Sequence, residues 1–122
     1  MARNSVGWFE IYVDDMDRAK AFYETVLQVK LERLPVDIEM WHFPMDTGAA
    51  GAPGSLVHMP GFKAGQNSVL IYFSCEDAAN EESRVAAAGG RVFKEKFSIG
   101  QFGFITLAYD TEGNMFGLHS RK

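Results

Sequence analysis

Cys75 is the only cysteine in 122 residues, so no internal disulfide can form. A thiol-poor chain of this size fits a reducing compartment. Cys75 lies in an apolar strand pattern, which favours a buried structural thiol over a reactive one. No stretch approaches the roughly 20 apolar residues of a membrane span. Met1-Ala2-Arg3-Asn4-Ser5 runs straight into a strand pattern, without an apolar segment of signal-peptide length. A cytoplasmic protein without membrane association is expected. Basic residues are outnumbered, 12 against 16 acidic, and scattered rather than massed on one face. Nucleic acid is therefore not an expected partner. The chain also has no G-x-S-x-G elbow, phosphate-binding glycine loop or C-x-x-C pair, which leaves serine-hydrolase, nucleotide and thiol-redox chemistry without a motif.

What the chain does have is a near-repeat at an offset of 62 residues. Trp8-Phe9-Glu10-Ile11-Tyr12-Val13-Asp14-Asp15 is matched by Leu70-Ile71-Tyr72-Phe73-Ser74-Cys75-Glu76-Asp77. Each is a strand-like run that ends in two acids and leads into a helix-like run. Two copies are too few for a solenoid and predict one pseudo-symmetric domain. The composition, 47% hydrophobic and 23% charged, is that of an ordinary globular chain.

Val6 to Val13 alternates as a strand does. Asp15 is a good N-cap for a helix from Met16 to Leu27, with Met16, Ala19, Phe22, Tyr23 and Val26 in one apolar stripe. Strands are expected at residues 30–34, 39–45 and 55–59. Pro60-Gly61 to Gly65-Gln66 divides the chain into modules 1–61 and 67–122. In the second module a strand from Ser68 to Cys75 precedes a helix capped by Asp77. That helix should run to about Ala88 and stop at Gly89-Gly90. Strands at residues 91–97, 103–109 and 115–120 complete it, with Asp110-Thr111-Glu112-Gly113-Asn114 as a tight turn. The fold class is α+β, two βαβββ modules.

Three stretches carry a family resemblance: Val13-Asp14-Asp15-Met16-Asp17-Arg18-Ala19-Lys20-Ala21-Phe22-Tyr23, Ala86-Ala87-Ala88-Gly89-Gly90, and Asp110-Thr111-Glu112-Gly113-Asn114-Met115-Phe116-Gly117-Leu118. With the repeat, they make the chain resemble the vicinal oxygen chelate superfamily of glyoxalase I, bleomycin-resistance proteins and extradiol dioxygenases. The resemblance implies a cup-shaped sheet around a small-molecule site, and in many members a divalent metal held by the first and last strand of each module. Carried over by the motifs, the ligand positions are Trp8, Leu56, Leu70 and Gly117. None of these side chains binds a metal.

Strand alternation then predicts the cup lining. Phe9, Ile11 and Val13 suit the helix-covered face, leaving Trp8, Glu10 and Tyr12 for the cup. Leu70, Tyr72 and Ser74 follow the same parity, as do Gly117 and His119. Aligning Ser55-Leu56-Val57-His58 with Phe116-Gly117-Leu118-His119 makes His58 and His119 equivalent. The candidate catalytic layer is thus Glu10, His58, Tyr72 and His119. Glu10, His58 and His119 form a ligand set suited to Fe(II), Mn, Co, Ni or Zn, displaced from the family's usual positions. Without metal, Glu10 and a histidine could act as general base and acid. The bland alternative is that each has a separate structural role.

Trp8 is expected to line the pocket, and Gln101, in the loop 98–103, to orient a substrate. An aromatic wall with few charges favours a planar or apolar ligand. The parity of the strand carrying His42 is open, and a surface role is expected for it. Two functions remain: an enzyme of lyase, isomerase or dioxygenase type using the displaced layer, or a non-catalytic protein that sequesters a small organic molecule, as bleomycin-resistance proteins do. A symmetric homodimer is expected, since the modules of such folds pair within one chain or across two.

Overall fold

The computed structural model describes residues 4–122. The elements are β1 (Phe9–Tyr12), α1 (Met16–Leu27), β2 (Glu32–Arg33), β3 (Glu39–His42), β4 (Gly54–His58), β5 (Tyr72–Ser74), α2 (Ala78–Val85), β6 (Arg91–Ser98), β7 (Phe104–Tyr109) and β8 (Met115–Ser120). A single 3-10 turn, Gly100–Phe102, joins β6 to β7. Each half is therefore β-α-β-β-β.

Local chemistry accounts for both helices. Asp15 is extended and its carboxylate accepts from the Arg18 amide at 3.1 Å, satisfying one of the free donors of the first turn. The buried stripe of α1 is Met16, Ala19, Phe22, Tyr23 and Val26, the stripe expected from the spacing. Asp77 caps α2 through the Ala79 amide at 3.0 Å. α2 ends at Val85, short of the expected Ala88, and the chain closes through a turn in which the Ala88 amide donates to the Arg84 carbonyl and the Gly90 amide to that of Val85.

The strands form two four-stranded sheets, in the orders β1-β4-β3-β2 and β5-β8-β7-β6. In each, the first and last strands are parallel neighbours: Glu10 is level with Ser55, and Tyr72 with Gly117. β5 is shorter than the sequence pattern suggests. Its lead-in is occupied by side-chain bonding instead: Asn67 donates to the Met115 carbonyl at 2.7 Å and accepts from the Met115 amide at 3.3 Å.

The helix-covered faces of both sheets share one core. The Phe116 ring of β8 lies 5.8 Å from Phe22 and 5.7 Å from Tyr23 of α1, and Phe73 of β5 lies 5.4 Å from Phe43. Edge-on and tilted aromatic pairs of this kind add to the burial of large apolar area.

A polar lock reinforces that core. Glu112, in the β7–β8 turn, accepts from the amides of Asp14 and Asp15 at 3.0 and 2.8 Å and from Arg18 Nε at 2.7 Å. The second half thereby caps the entry to the first half's helix. Tyr23 donates to Asp110 at 2.6 Å, and Asn114 donates to the Tyr12 carbonyl at 3.0 Å. Tyr23 is fully buried, and burial, with the Asp110 charge beside it, pushes its hydroxyl well above its ordinary value.

Candidate functional site

The face of β1 turned away from α1 carries Trp8, Glu10 and Tyr12 in a row. The Trp8 indole N–H donates to Glu10 Oε2 at 3.3 Å, and the Tyr12 hydroxyl donates to Glu10 Oε1 at 2.8 Å. Such bonds between every second residue require side chains on one face of a strand. The carboxylate is thus held by both neighbours while Glu10 itself stays exposed. The bond to Glu10, then burial, raise the Tyr12 hydroxyl above its ordinary pKa, so it remains a donor at neutral pH. The Tyr12 ring stacks on Phe62 at 5.4 Å, which draws the inter-module connection over the end of the strand.

Beside this row lies a cleft of about 400 Å³, where β1 meets the connection and the start of β8. Tyr12, Val69, Ile71 and Met115 contribute apolar lining above the buried Tyr23 and Phe116, Glu10 and Lys63 contribute charge, and Asn67 and Asn114 contribute amides. The connection is tied down as well as draped: the Gly65 amide donates to Asn114 at 2.7 Å and the Ala64 amide to Asp14 at 3.2 Å. A concave apolar floor with a few fixed polar groups at the rim is the usual constitution of a small-molecule site.

Of the candidate catalytic and substrate-binding residues predicted from sequence, Glu10 alone lines this cleft, joined by Tyr12 from the row expected to face the cup. Trp8 is 37% exposed and touches the site through Glu10. Tyr72 stands on the open face of the second sheet, where its ring lies across Gly117. A Cβ at Gly117 would come within 2.2 Å of that ring, so glycine is what lets the ring lie flat on the sheet. His119 is on the same open face, level with Ser74, with Nε2 donating to the Phe102 carbonyl at 2.7 Å. Gln101 is exposed on the 3-10 turn, away from the cleft.

His58 departs from expectation. Ser55 is level with Glu10 as Gly117 is level with Tyr72, so the two halves align Ser55 with Gly117 and His58 with Ser120. The alignment that paired His58 with His119 is displaced by one residue, and a displacement of one moves a side chain to the other face of its strand. His58 therefore shares the face of Leu56, which is fully buried in the core, and its Nδ1 donates to the Val13 carbonyl at 3.1 Å. Leu56, the residue carried over as a family ligand position, gives way to Ser55 for the same reason.

The donor set does not fit a metal. Among the described residues no three His, Cys, Asp or Glu side chains converge on one point, so Glu10, His58 and His119 do not form the expected triad. By register Ser55 rather than Leu56 is the counterpart of Gly117, and among Trp8, Ser55, Leu70 and Gly117 only Ser55 has a side-chain oxygen. Its hydroxyl is fully buried and without a hydrogen-bond partner.

Sequence reasoning missed this serine and its neighbour His42. Trp41 packs under Lys20 of α1, with the ammonium 3.5 Å from the ring centre, which turns His42 to the opposite, open face. There His42 is level with Ser55, and Glu32 with His42, so a polar row Glu10–Ser55–His42–Glu32 crosses the first sheet. No alternation inside β3 reveals this; the pairing with β4 decides it.

Residues 5–118 match the family model described as the glyoxalase/bleomycin resistance protein/dioxygenase superfamily. The chain belongs to this superfamily. It is 30% identical over 112 residues to the CFP32 proteins of Mycobacterium bovis and Mycobacterium tuberculosis, which carry a provisional glyoxylase name. That match takes in 91% of this chain but 42% of theirs, so the chain spans about two fifths of the length of these curated relatives. Among solved structures, a glyoxalase/bleomycin resistance protein from Albidiferax ferrireducens T118 superposes with a TM-score of 0.75 at 15% identity, covering 97% of this chain and all of its own. TnmS3, an antibiotic binding protein from Streptomyces sp. CB03234, gives 0.69 at 24% identity, with 100% and 99% covered. A glyoxalase I mutant from Zea mays gives 0.75 at 18% identity over 94% of this chain and 45% of that one. At these identities the structural likeness speaks for the fold.

Proposed function

We propose that the protein is a non-catalytic binder that sequesters a small planar organic molecule in the cleft beside β1. One observation carries this reading. The Glu10 carboxylate, pinned by Trp8 and Tyr12, borders a cleft lined by the Tyr12 ring, Val69, Ile71 and Met115, whereas the histidines needed for a displaced catalytic layer lie elsewhere. His58 faces the core side of its strand, which leaves an acid–base layer of Glu10, His58, Tyr72 and His119 without one member. The antibiotic-binding role of TnmS3, a protein of the same fold and nearly the same length, supports the same reading. On this proposal the whole chain acts as one glyoxalase-like domain of modules 1–61 and 67–122.

Tryptophan fluorescence tests it, because Trp8 and Trp41 are the only two indoles. In a Trp41→Phe background, proflavine should be titrated against Trp8 emission. Saturable quenching is expected, weakened about tenfold by Tyr12→Ala and unchanged by His58→Ala. Loss of the signal in His58→Ala, or no saturation, would refute the reading.

We further propose that a second copy of the chain covers the open face of the second sheet, giving the homodimer expected from the sequence. Leu70 and Tyr72 are 38% and 44% exposed there, and large apolar side chains gathered on one face commonly mark an interface. Sedimentation velocity should show a dimer that Leu70→Glu converts to monomer. A monomeric wild type would remove the proposal.

A further inference from the structure

The cleft beside β1 is lined by two opposite charges, Glu10 and Lys63, and its other lining residues are uncharged. Among the described residues neither charge forms an ion pair, with the other or with a third group. Both residues are exposed, so both are open to a molecule arriving from solvent.

Tyr12 places the two charges. Its hydroxyl donates to Glu10 Oε1 at 2.8 Å, and its ring stacks at 5.4 Å on Phe62, the residue before Lys63. On the other side of Lys63, the Ala64 amide donates to Asp14 at 3.2 Å. Lys63 therefore stands between two anchored neighbours, as Glu10 stands between two donors, Trp8 and Tyr12. Each Glu10 oxygen accepts one bond in this arrangement and keeps room for another, since a carboxylate has about four acceptor sites. The amides of the cleft are already spent. Asn114 is committed to Gly65, Tyr12 and Asp110, and Asn67 to Val69 and Met115. They hold the walls, which leaves the two charges as the strongest free recognition groups. Hydrogen bonds to charged groups are the stronger kind, and a half-enclosed apolar cleft strengthens them further. A ligand of one sign pairs with one of these groups and leaves the other unanswered.

We propose that this cleft selects a zwitterion: a planar molecule with a cationic nitrogen at one end, held by Glu10, and a carboxylate at the other, held by Lys63. The inference rests on the binder reading above and narrows it to a class of ligand. At about 400 Å³ the cleft is small among ligand pockets, which run from roughly 300 to 1,000 Å³, and it suits a compact ring system.

The probe is 4-(aminomethyl)benzoate, which carries both charges on one ring. Its counterparts are 4-methylbenzylamine, which lacks the carboxylate, and 4-methylbenzoate, which lacks the ammonium. Each is titrated while the amide resonances of Ile11 and Met115 are followed by NMR. The zwitterion should bind at least about tenfold more tightly than either counterpart. Glu10→Gln should remove its advantage over 4-methylbenzoate without weakening 4-methylbenzoate itself. Lys63→Met should remove its advantage over 4-methylbenzylamine without weakening that amine. A general loss of folding cannot produce this reciprocal pattern. Equal binding of the three probes, or a preference that survives either substitution, would overturn the proposal. If proflavine saturates and 4-(aminomethyl)benzoate shows no preference, the charge assignment falls and the binder reading stands. If neither compound saturates, both fall.

Discussion

Phe116→Ala is expected to remove about 4 kcal/mol of stability, the middle of the range for truncating a buried aromatic ring. The ring is 1% exposed and packs against Phe22, Tyr23 and Phe73, so it links α1 of the first half to β5 and β8 of the second. Neighbours drawn from separate elements cannot collapse together into the hole, and an unfilled cavity adds to the lost burial. For a domain of this size, the change corresponds to a fall in Tm of roughly 15 °C. Phe116→Leu, which retains most of the volume, should lose less than half as much. Thermal unfolding by circular dichroism separates the outcomes. A loss below about 1 kcal/mol for the alanine variant would mean that the two halves do not share a core.

Glu112→Ala should cost about 3 kcal/mol, because a buried acceptor of several hydrogen bonds is removed. The loss falls mainly on the Asp14 and Asp15 amides at the start of α1, since Arg18 is half exposed and can turn to water. Arg18→Ala should therefore be much the milder change. A pH dependence follows as well. Burial alone would raise Glu112, but hydrogen bonds from Arg18, the Asp15 amide and Thr111 outweigh it and hold the carboxyl below its ordinary 4.5. A carboxyl lowered in the folded state stabilises above its unfolded pKa, and that contribution is lost as pH falls through the folded value. Asp110 runs the other way: burial raises it above 3.8 against hydrogen bonds from Tyr23 and from the amides of Asn114 and Glu112. Its contribution is present in acid and is lost as pH rises through the folded value. The difference between wild type and Glu112→Gln isolates the first group. That difference should shrink as pH falls below 4.5; if it stays constant from pH 7 to 3, the lock does not titrate as described.

How far the sequence could be read depended on how local each feature was. α1, its Asp15 cap and its five-residue stripe were legible because a cap and a 3.6-residue period lie within one turn of the residues that cause them. The outward row Trp8, Glu10 and Tyr12 was legible for the same reason, since alternation is a property of one strand. His58 was not. Its face depended on how β4 aligns with β8 across the repeat, and a one-residue choice that composition hardly distinguishes inverted it. Lys63, Asn67 and Asn114 were missed as site residues because the connection and the β7–β8 turn meet β1 only in the folded chain. The Asp-Thr-Glu-Gly-Asn run was legible as a turn, but its grip on the first half's helix was not.

The sequence alone determined the doubled β-α-β-β-β order, the helix caps and stripes, the superfamily, and the lack of metal-binding side chains at Trp8, Leu70 and Gly117. These follow from side-chain type and from periods of two and 3.6 residues, which act over a few positions. Only the tertiary structure decided that Ser55 rather than Leu56 faces the open side, and that Glu10 borders a cleft without His58. Each of these depends on register and contact between segments tens of residues apart. Many registers satisfy the same local pattern, and packing both halves around one aromatic core selects among them.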